Sequence, residues 1–303
     1  KLLWFPLIKY WIRQEQTGKR LNRERCRSRR TLKHQKYGYW IIAIDRTQWK
    51  GHNIFMVSVV WGTHALPVYW EVLKKPGNSD LRTQKRLLGT VLHLFKNYPV
   101  LVLGDREFHS PKLASWLEVK GVSFALRQRK DFHFQEHVGQ EYQVLKELGF
   151  KPGMSKFYQN ILGNKGDGLG PFNLAVYWKR KYRQLGPKEP WYILTNLSDL
   201  KLTLDVYCCR WGIEQMFKDY KTGGYHLEDN KVNETRFLAL ILLVAIAYSL
   251  ATIHGQWIKK LGIDIYAGRL NEHKDKTPRQ SEFSLSLYGQ RWIYGMELWN
   301  DWV

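Results

Sequence analysis

Short, almost unbroken apolar runs punctuate the first half of the chain. YWIIAID (39–45) and PVLVLGD (99–105) read as strands buried on both faces. NIFMVSVVWG (53–62) and ALPVYWEVL (65–73) are β-rich and separated by a short break, and RTQWKGH before them reads as a turn. Together they predict a meander. DLRTQKRLLGTVLHLFKN (80–97) carries apolar residues at 81, 87, 88, 91, 92, 94 and 95, the spacing of an amphipathic helix. SPKLASWLEVKG (110–121) has Ser as N-cap, Pro in the first turn and Gly as stop. VSFALRQR (122–129) is a further strand. The predicted order is three strands, helix, strand, helix, strand, an α/β pattern.

Residues 130–197 break that rhythm. The Gly-rich stretch GNKGDGLGPF (163–172) reads as a turn or connection, and FNLAVYWKRKY (172–182) and PWYILTNL (190–197) are β-like. A β-rich insertion is expected here. YCCRWGIEQMFKDYK (207–221) then predicts a helix that stops at Gly223–Gly224. A second helix, 234–254, contains FLALILLVAIAYSLATI (237–253), slightly short for a membrane span and interrupted by Tyr, Ser and Thr, so a helix buried against a sheet is expected. The tail, 263–303, is aromatic and basic without a clear period. The expected divisions are 1–38, 39–129, 130–197, 198–262 and 263–303.

Charge narrows the function. The 303 residues hold 48 Lys+Arg against 27 Asp+Glu, a net charge of +21. Such a surplus repels itself unless a polyanion is the partner, which points to nucleic acid first and an anionic membrane surface second. Nine Lys and Arg lie between Lys19 and Lys36 against Glu24 alone, a phosphate-contacting arm or a solvated basic segment. Cys26, Cys208 and Cys209 form no metal or disulfide pattern, which fits a reducing compartment. No signal-peptide pattern is visible, and the opening KLLWFP, without Met, is expected to follow an upstream piece. His133 and His137 have helical i,i+4 spacing but lack the Glu of a zinc-protease motif; Cys208 and Cys209 read as packing residues.

Three carboxylates stand out. Asp45 and Asp105 end predicted strands, and with the first and fourth strands adjacent both reach one crevice. Glu214 lies on a later helix that would cross that sheet end. Hard oxygen ligands around one pocket suit Mg²⁺ or Mn²⁺, and two such ions serve in-line phosphoryl transfer. On a continuous helix Tyr207, Arg210, Glu214, Lys218 and Lys221 form one stripe, with the cations placed to hold phosphates. The same residues also make an ordinary i,i+4 ion-pair ladder, and Asp at a strand end is often a turn former.

Tyr207, Arg210, Glu214 and Lys221 reproduce the Y-x₂-R-x₃-E-x₆-K signature of insertion-sequence DDE transposases, the group that includes the composite-transposon cut-and-paste enzymes. GDREF (104–108) and AIDRTQ (43–48) are similar to that family's two Asp segments, and the resemblance spans roughly 39–254. It implies a ribonuclease-H-like core, a mixed sheet flanked by helices, with a β-rich insertion between Asp105 and Glu214. It implies Asp45, Asp105 and Glu214 as catalytic ligands of two Mg²⁺ or Mn²⁺ ions. Tyr207, Arg210, Lys218, Lys221 and Arg106 are then DNA-binding residues, and Trp191, at the start of the strand before the signature helix, stacks on a flipped base. The implied reaction nicks double-stranded DNA at the element's terminal repeats and joins the freed 3′-OH to target DNA. The implied setting is a homodimer in the bacterial cytoplasm, associated with the nucleoid and not with a membrane. A ribonuclease-H-fold nuclease or junction resolvase, and a domesticated or truncated transposase that binds DNA without cutting, are the alternatives.

Overall fold

The computed structural model describes residues 4, 8, 10, 37–49, 51–74, 77–163, 165–180, 186–221, 223–227, 231–264 and 280–300. The basic run Lys19–Lys36 and Cys26 lie outside them. The chain forms two compact units, Leu2–Gln215 and Met216–Val303.

The first unit is built on one ten-stranded sheet in the order β3-β2-β1-β4-β5-β10-β9-β8-β6-β7. β1 (Trp40–Trp49), β2 (His52–Trp61) and β3 (His64–Leu73) form the antiparallel meander. β4 (Val100–Gly104) and β5 (Ser123–Arg127) continue it in parallel beside β1. This mixed order, with helices α1 (Leu81–Leu94) and α2 (Pro111–Val119) in the connections, is a ribonuclease-H-like core. The apolar runs do what their composition dictates: Ile41–Ile44 and Leu101–Leu103 are fully buried. Each Ile, Leu and Val among them contributes roughly 1.5–3 kcal/mol of transfer free energy. α1 is capped by Asp80, whose carboxylate accepts the Thr83 N–H at 2.6 Å, and buries Gln84, Leu87, Leu88 and Val91 along one face. Ser110 occupies the N-cap of α2 but makes no side-chain cap bond.

One expectation fails at β1. RTQWKGH is not a turn: the strand runs on to Trp49, with Arg46, Thr47 and Gln48 opposite Phe55, Ile54 and Asn53. The reversal is confined to the residues before His52, where Gly51 takes φ +82°. Asp45 therefore sits mid-strand, at the point where β1 runs past its partner β4.

The stretch 130–197 adds β6 (His133–Gln135), β7 (Gln143–Val144), β8 (Ser155–Gly163), β9 (Leu169–Tyr177) and β10 (Trp191–Thr195) to the same sheet. β10 pairs antiparallel with β5 on one side and β9 on the other. β9 starts within the Gly-rich stretch, earlier than its composition predicts. His133 is on a strand, so the helical His133/His137 spacing does not exist. α3 (Leu200–Cys208), capped by Asp199, and the start of α4 (Trp211–Lys221) complete this unit.

The second unit carries the rest of α4, then α5 (Glu234–Lys260) and α6 (Glu282–Asn300). Within this unit α5 packs on α6 rather than on a sheet. A Cβ at Gly255 would lie 1.7 Å from the Glu282 carbonyl oxygen, so only glycine allows this approach. Tyr248 packs on Phe283 with ring centroids 5.2 Å apart. α5 is long and apolar enough to cross a membrane by length and composition, yet Phe237, Ile241, Ala245 and Tyr248 are buried inside the protein.

Candidate active site

Register brings the two aspartates together. In the parallel β1–β4 pair Ile44 lies opposite Gly104, so the next residues, Asp45 and Asp105, emerge side by side. Adjacent strands are about 4.8 Å apart, which sets the scale of their separation. Gly104 has a steric reason: a Cβ there would meet Phe108 Cβ at 2.8 Å and Leu126 Cδ2 at 3.0 Å. The chain then turns into a 3-10 turn, Arg106–Phe108, with Asp105 as N-cap.

Each aspartate accepts a backbone N–H. Arg46 N–H donates to Asp45 Oδ1 at 2.7 Å, and Glu107 N–H to Asp105 Oδ1 at 2.9 Å. Those bonds favour the ionised forms, but burial outweighs them. Asp45 is pushed up to about 7, by burial first and by the charge of Asp105 second; Arg210 and the Arg46 N–H pull the other way. Asp105 is also raised, again mainly by burial.

Glu214 lies in the first turn of α4, where the helix dipole favours an anion. Its Oε1 accepts from Arg210 Nη2, while Arg210 Nη1 stands 3.8 Å from Asp45 Oδ2. One guanidinium thus bridges two of the three predicted carboxylates. Side-chain exposures of 16% for Asp45, 12% for Arg210 and 34% for Glu214 describe a site open on the Glu214 side. Burial is the largest single influence on Arg210 and lowers its pKa, but the charges of Tyr207, Glu214 and Asp45 together outweigh it, so the pKa is raised.

The single helix predicted for 207–221 is broken. Between α3 and α4 the N–H groups of Cys209, Arg210, Gly212 and Ile213 donate to carbonyls three residues back, a tightened 3-10 geometry. The five-residue stripe therefore does not lie on one continuous face. The break coincides with a close approach: a Cβ at Gly212 would sit 2.6 Å from the His64 carbonyl oxygen. Of the adjacent cysteines, Cys209 is buried and Cys208 is exposed rather than packed.

Tyr207, in the last turn of α3, is 2% exposed; burial raises its pKa, while the charge of Arg210 pulls the other way. Trp191, half-buried at the start of β10, meets the Tyr207 ring edge-on at 5.2 Å and the Tyr177 ring at 6.3 Å. The Arg210 guanidinium is 5.7 Å from the Tyr207 ring centroid. Arg106 is exposed and ion-paired with Glu189, which also faces Arg127 at 3.7 Å. Lys218 is exposed and Lys221 half-buried; both belong to the second unit.

Residues 30–250 match the family described as Transposase DDE domain. The chain belongs to this DDE transposase family. No curated protein matches the sequence. Among solved structures, a piggyBac transposase synaptic complex with hairpin DNA is similar at 14% identity and TM-score 0.48, covering 84% of this chain and 54% of that one. The chain thus spans about half the length of that transposase. Endonuclease V from Bacillus subtilis is similar at 9% identity and TM-score 0.33, covering 69% of this chain and 90% of that one. Argonaute from Marinitoga piezophila, in complex with guide RNA and target DNA, gives 11% and 0.27, with coverages of 56% and 24%. Identities this low concern the fold alone.

Metal binding, general in the DDE family, has a physical basis in these residues. Asp45, Asp105 and Glu214 supply only hard carboxylate oxygens, as Mg²⁺ or Mn²⁺ requires. The Asp45 carboxyl is raised by burial first and by the charge of Asp105 second, and a cation beside the pair would offset both. Among the described residues no three or more His, Cys, Asp and Glu are grouped closely enough to hold a metal ion as they stand. An open, carboxylate-rich edge is nonetheless what a cation shared with substrate phosphates needs. Reading the sequence alone missed Arg46, Glu107, Arg127 and Glu189. The signal for the first two is present in the text, as the charged neighbours in DRT and GDREF.

Proposed function

We propose that this chain carries the catalytic core of an insertion-sequence transposase of the Y-R-E-K type, which cleaves DNA at the element's ends and transfers the freed 3′-OH into target DNA. The observation that carries the reading is the β1–β4 register, which sets Asp45 beside Asp105 while Arg210 ties Asp45 to Glu214. Asp45, Asp105 and Glu214 would hold two Mg²⁺ or Mn²⁺ ions. When bound, such ions polarise a phosphodiester and activate the attacking oxygen.

The chain's own residues do the rest. Backbone N–H groups of Arg46 and Glu107 orient the aspartates. Arg210, with its fork already desolvated, binds a scissile-strand phosphate when DNA competes with the carboxylates for it. The Tyr207 ring faces Arg210 and Trp191 packs against Tyr207, and Trp191 is the candidate to stack on an extruded base. Lys218, Lys221 and Arg106 are assigned to phosphates; for Arg106 this means leaving Glu189. The DNA partner fits the charge of +21. Two copies working on paired element ends, in the bacterial nucleoid, belong to the same proposal.

Nicking of supercoiled plasmid in Mg²⁺ or Mn²⁺ tests it. Parent protein is expected to nick, and Asp45→Asn, Asp105→Asn and Glu214→Gln each to lose at least about a hundredfold, as loss of a catalytic ligand does. DNA retention should stay near parental, because phosphate contacts supply most of the affinity. A near-parental rate in any of the three removes that residue from the site.

A further inference from the structure

Glu107 and Arg46 are not among the signature residues, yet they sit one or two positions from the paired aspartates and join them. Arg46 Nε donates to Glu107 Oε2 at 2.7 Å. The same two residues donate the backbone N–H groups that hold Asp45 Oδ1 and Asp105 Oδ1. A closed bracket results: the Asp45 carboxylate, the Arg46 backbone and side chain, the Glu107 side chain and backbone, and the Asp105 carboxylate. We infer that the Arg46–Glu107 ion pair is a positioning device that fixes the spacing of the Asp45 and Asp105 carboxylates. The inference rests on the proposed catalytic role of those two aspartates.

The bracket is anchored on both sides. Glu107 Oε1 accepts from Ser79 N–H at 3.0 Å and from Ser79 Oγ at 2.8 Å. Ser79 is in turn held by Gln84 Nε2, which donates to its carbonyl at 3.0 Å and meets its Oγ at 3.1 Å. Arg46 Nη1 donates to Asn53 Oδ1 at 2.9 Å, and Asn53 Nδ2 to the Gly77 carbonyl at 3.2 Å. Glu107 is 9% exposed, so both its oxygens are spent on these partners and none is turned to solvent as a ligand's would be. A part-buried pair with both carboxylate oxygens engaged is stiff, because breaking either partner leaves the other largely desolvated and unpaired. The stiffness is delivered at two backbone sites one bond away from the carboxylates. A displacement of about 1 Å at a catalytic group is worth on the order of a hundredfold in rate, so a bracket of this kind sets the rate without touching DNA.

The test is a double-mutant cycle on the full chain with Glu107→Gln, Arg46→Met and the double variant, plus Arg46→Lys. Single-turnover plasmid nicking, KM for DNA, Mn²⁺ affinity by electron paramagnetic resonance and melting temperature are read on the same preparations. Expected are a fall in the cleavage rate of tenfold or more in each single variant, an unchanged KM and weaker Mn²⁺ binding. The double variant should be no worse than the singles, and Arg46→Lys should recover part of the rate. Parental rate and Mn²⁺ affinity in Glu107→Gln would overturn the bracket. So would strictly additive losses that track melting temperature, which mark a stabilising pair only. Asp45→Asn separates the two readings: if it nicks as well as parent, the catalytic assignment itself is wrong. If parent does not nick, Mn²⁺ affinity decides alone: lowered by Asp45→Asn and by Glu107→Gln it supports the bracket, and lowered by Asp45→Asn only it overturns it.

Discussion

Asp45→Asn should stabilise the metal-free protein at pH 8. The Asp45 carboxyl is shifted from 3.8 to about 7. At about 1.4 kcal/mol per tenfold change in proton affinity, the ionised carboxylate costs the fold about 4 kcal/mol. The sign follows from which state holds the proton. Below pH 4 the carboxyl is protonated in both the folded and unfolded chain, and there is no cost. Between pH 4 and 7 the unfolded chain ionises first, so stability falls as pH rises; above pH 7 the penalty is complete. Asn keeps an oxygen for the Arg46 N–H, and the attraction to Arg210 that it loses is already contained in the shift. A net gain of about 2–4 kcal/mol at pH 8 remains, on the order of 10 °C in melting temperature for a unit of this size. Urea denaturation in EDTA at several pH values measures it, and the parent–variant difference cancels the titration of other groups. Mg²⁺ at pH 8 should then stabilise the parent and leave the variant unmoved. A variant less stable than parent at pH 8, or a difference that does not change between pH 4 and 7, would refute the reasoning.

Arg210→Ala and Lys221→Ala should each reduce the slope of log Kd against log salt for duplex DNA by about one counterion; unchanged slopes in a filter-binding titration would leave both as intramolecular ion-pair residues. In metal-free protein Arg210→Ala should also raise the Asp45 carboxyl further, since Arg210 is the largest charge lowering it, visible by NMR as a later titration. Trp191→Ala should slow second-strand or hairpin steps by roughly ten- to hundredfold while sparing the first nick, with Trp191→Phe recovering part, because stacking on a base is worth about 1–3 kcal/mol; equal losses in both steps that follow melting temperature would assign Trp191 to packing against Tyr177 and Tyr207. Gly104→Ala should cost about 1–3 kcal/mol in urea and impair nicking, because its methyl would overlap Phe108 and Leu126; an unaffected variant would mean that the turn after β4 adjusts freely.

The buried strands and their order were legible because a strand covered on both faces has to be apolar throughout, as in β1 up to Ile44 and in β4. The continuation of β1 past Asp45 was not. Beyond Ile44 the strand keeps β2 but loses β4, so polar Arg46 and Gln48 are tolerated and imitate a turn. β8 escaped notice for a related reason: Ser155, Lys156, Gln159 and Asn160 are exposed, and Asn160, with φ 56°, interrupts the alternation. In α6 the surface towards α5 includes Ser286 and Gly289, small residues chosen by backbone proximity, so no apolar period survives. The break at Cys209–Arg210 arises within residues of ordinary helical propensity, and only the packing of Gly212 on His64 accompanies it. For the proposed site, residue types, chain order and the Y-R-E-K resemblance put Asp45, Asp105 and Glu214 forward as candidates. Their mutual support did not show, because the Arg46–Glu107 pair depends on a register between strands far apart in sequence.

The most direct test of the central claim is anomalous diffraction from crystals of the protein with a short DNA duplex and Mn²⁺. Strong peaks should lie between the carboxylates of Asp45, Asp105 and Glu214, within about 2.2 Å of their oxygens, with Arg210 moved from Asp45 onto a phosphate. Peaks elsewhere, or none at the three carboxylates while Arg210 stays between Asp45 and Glu214, would contradict the account.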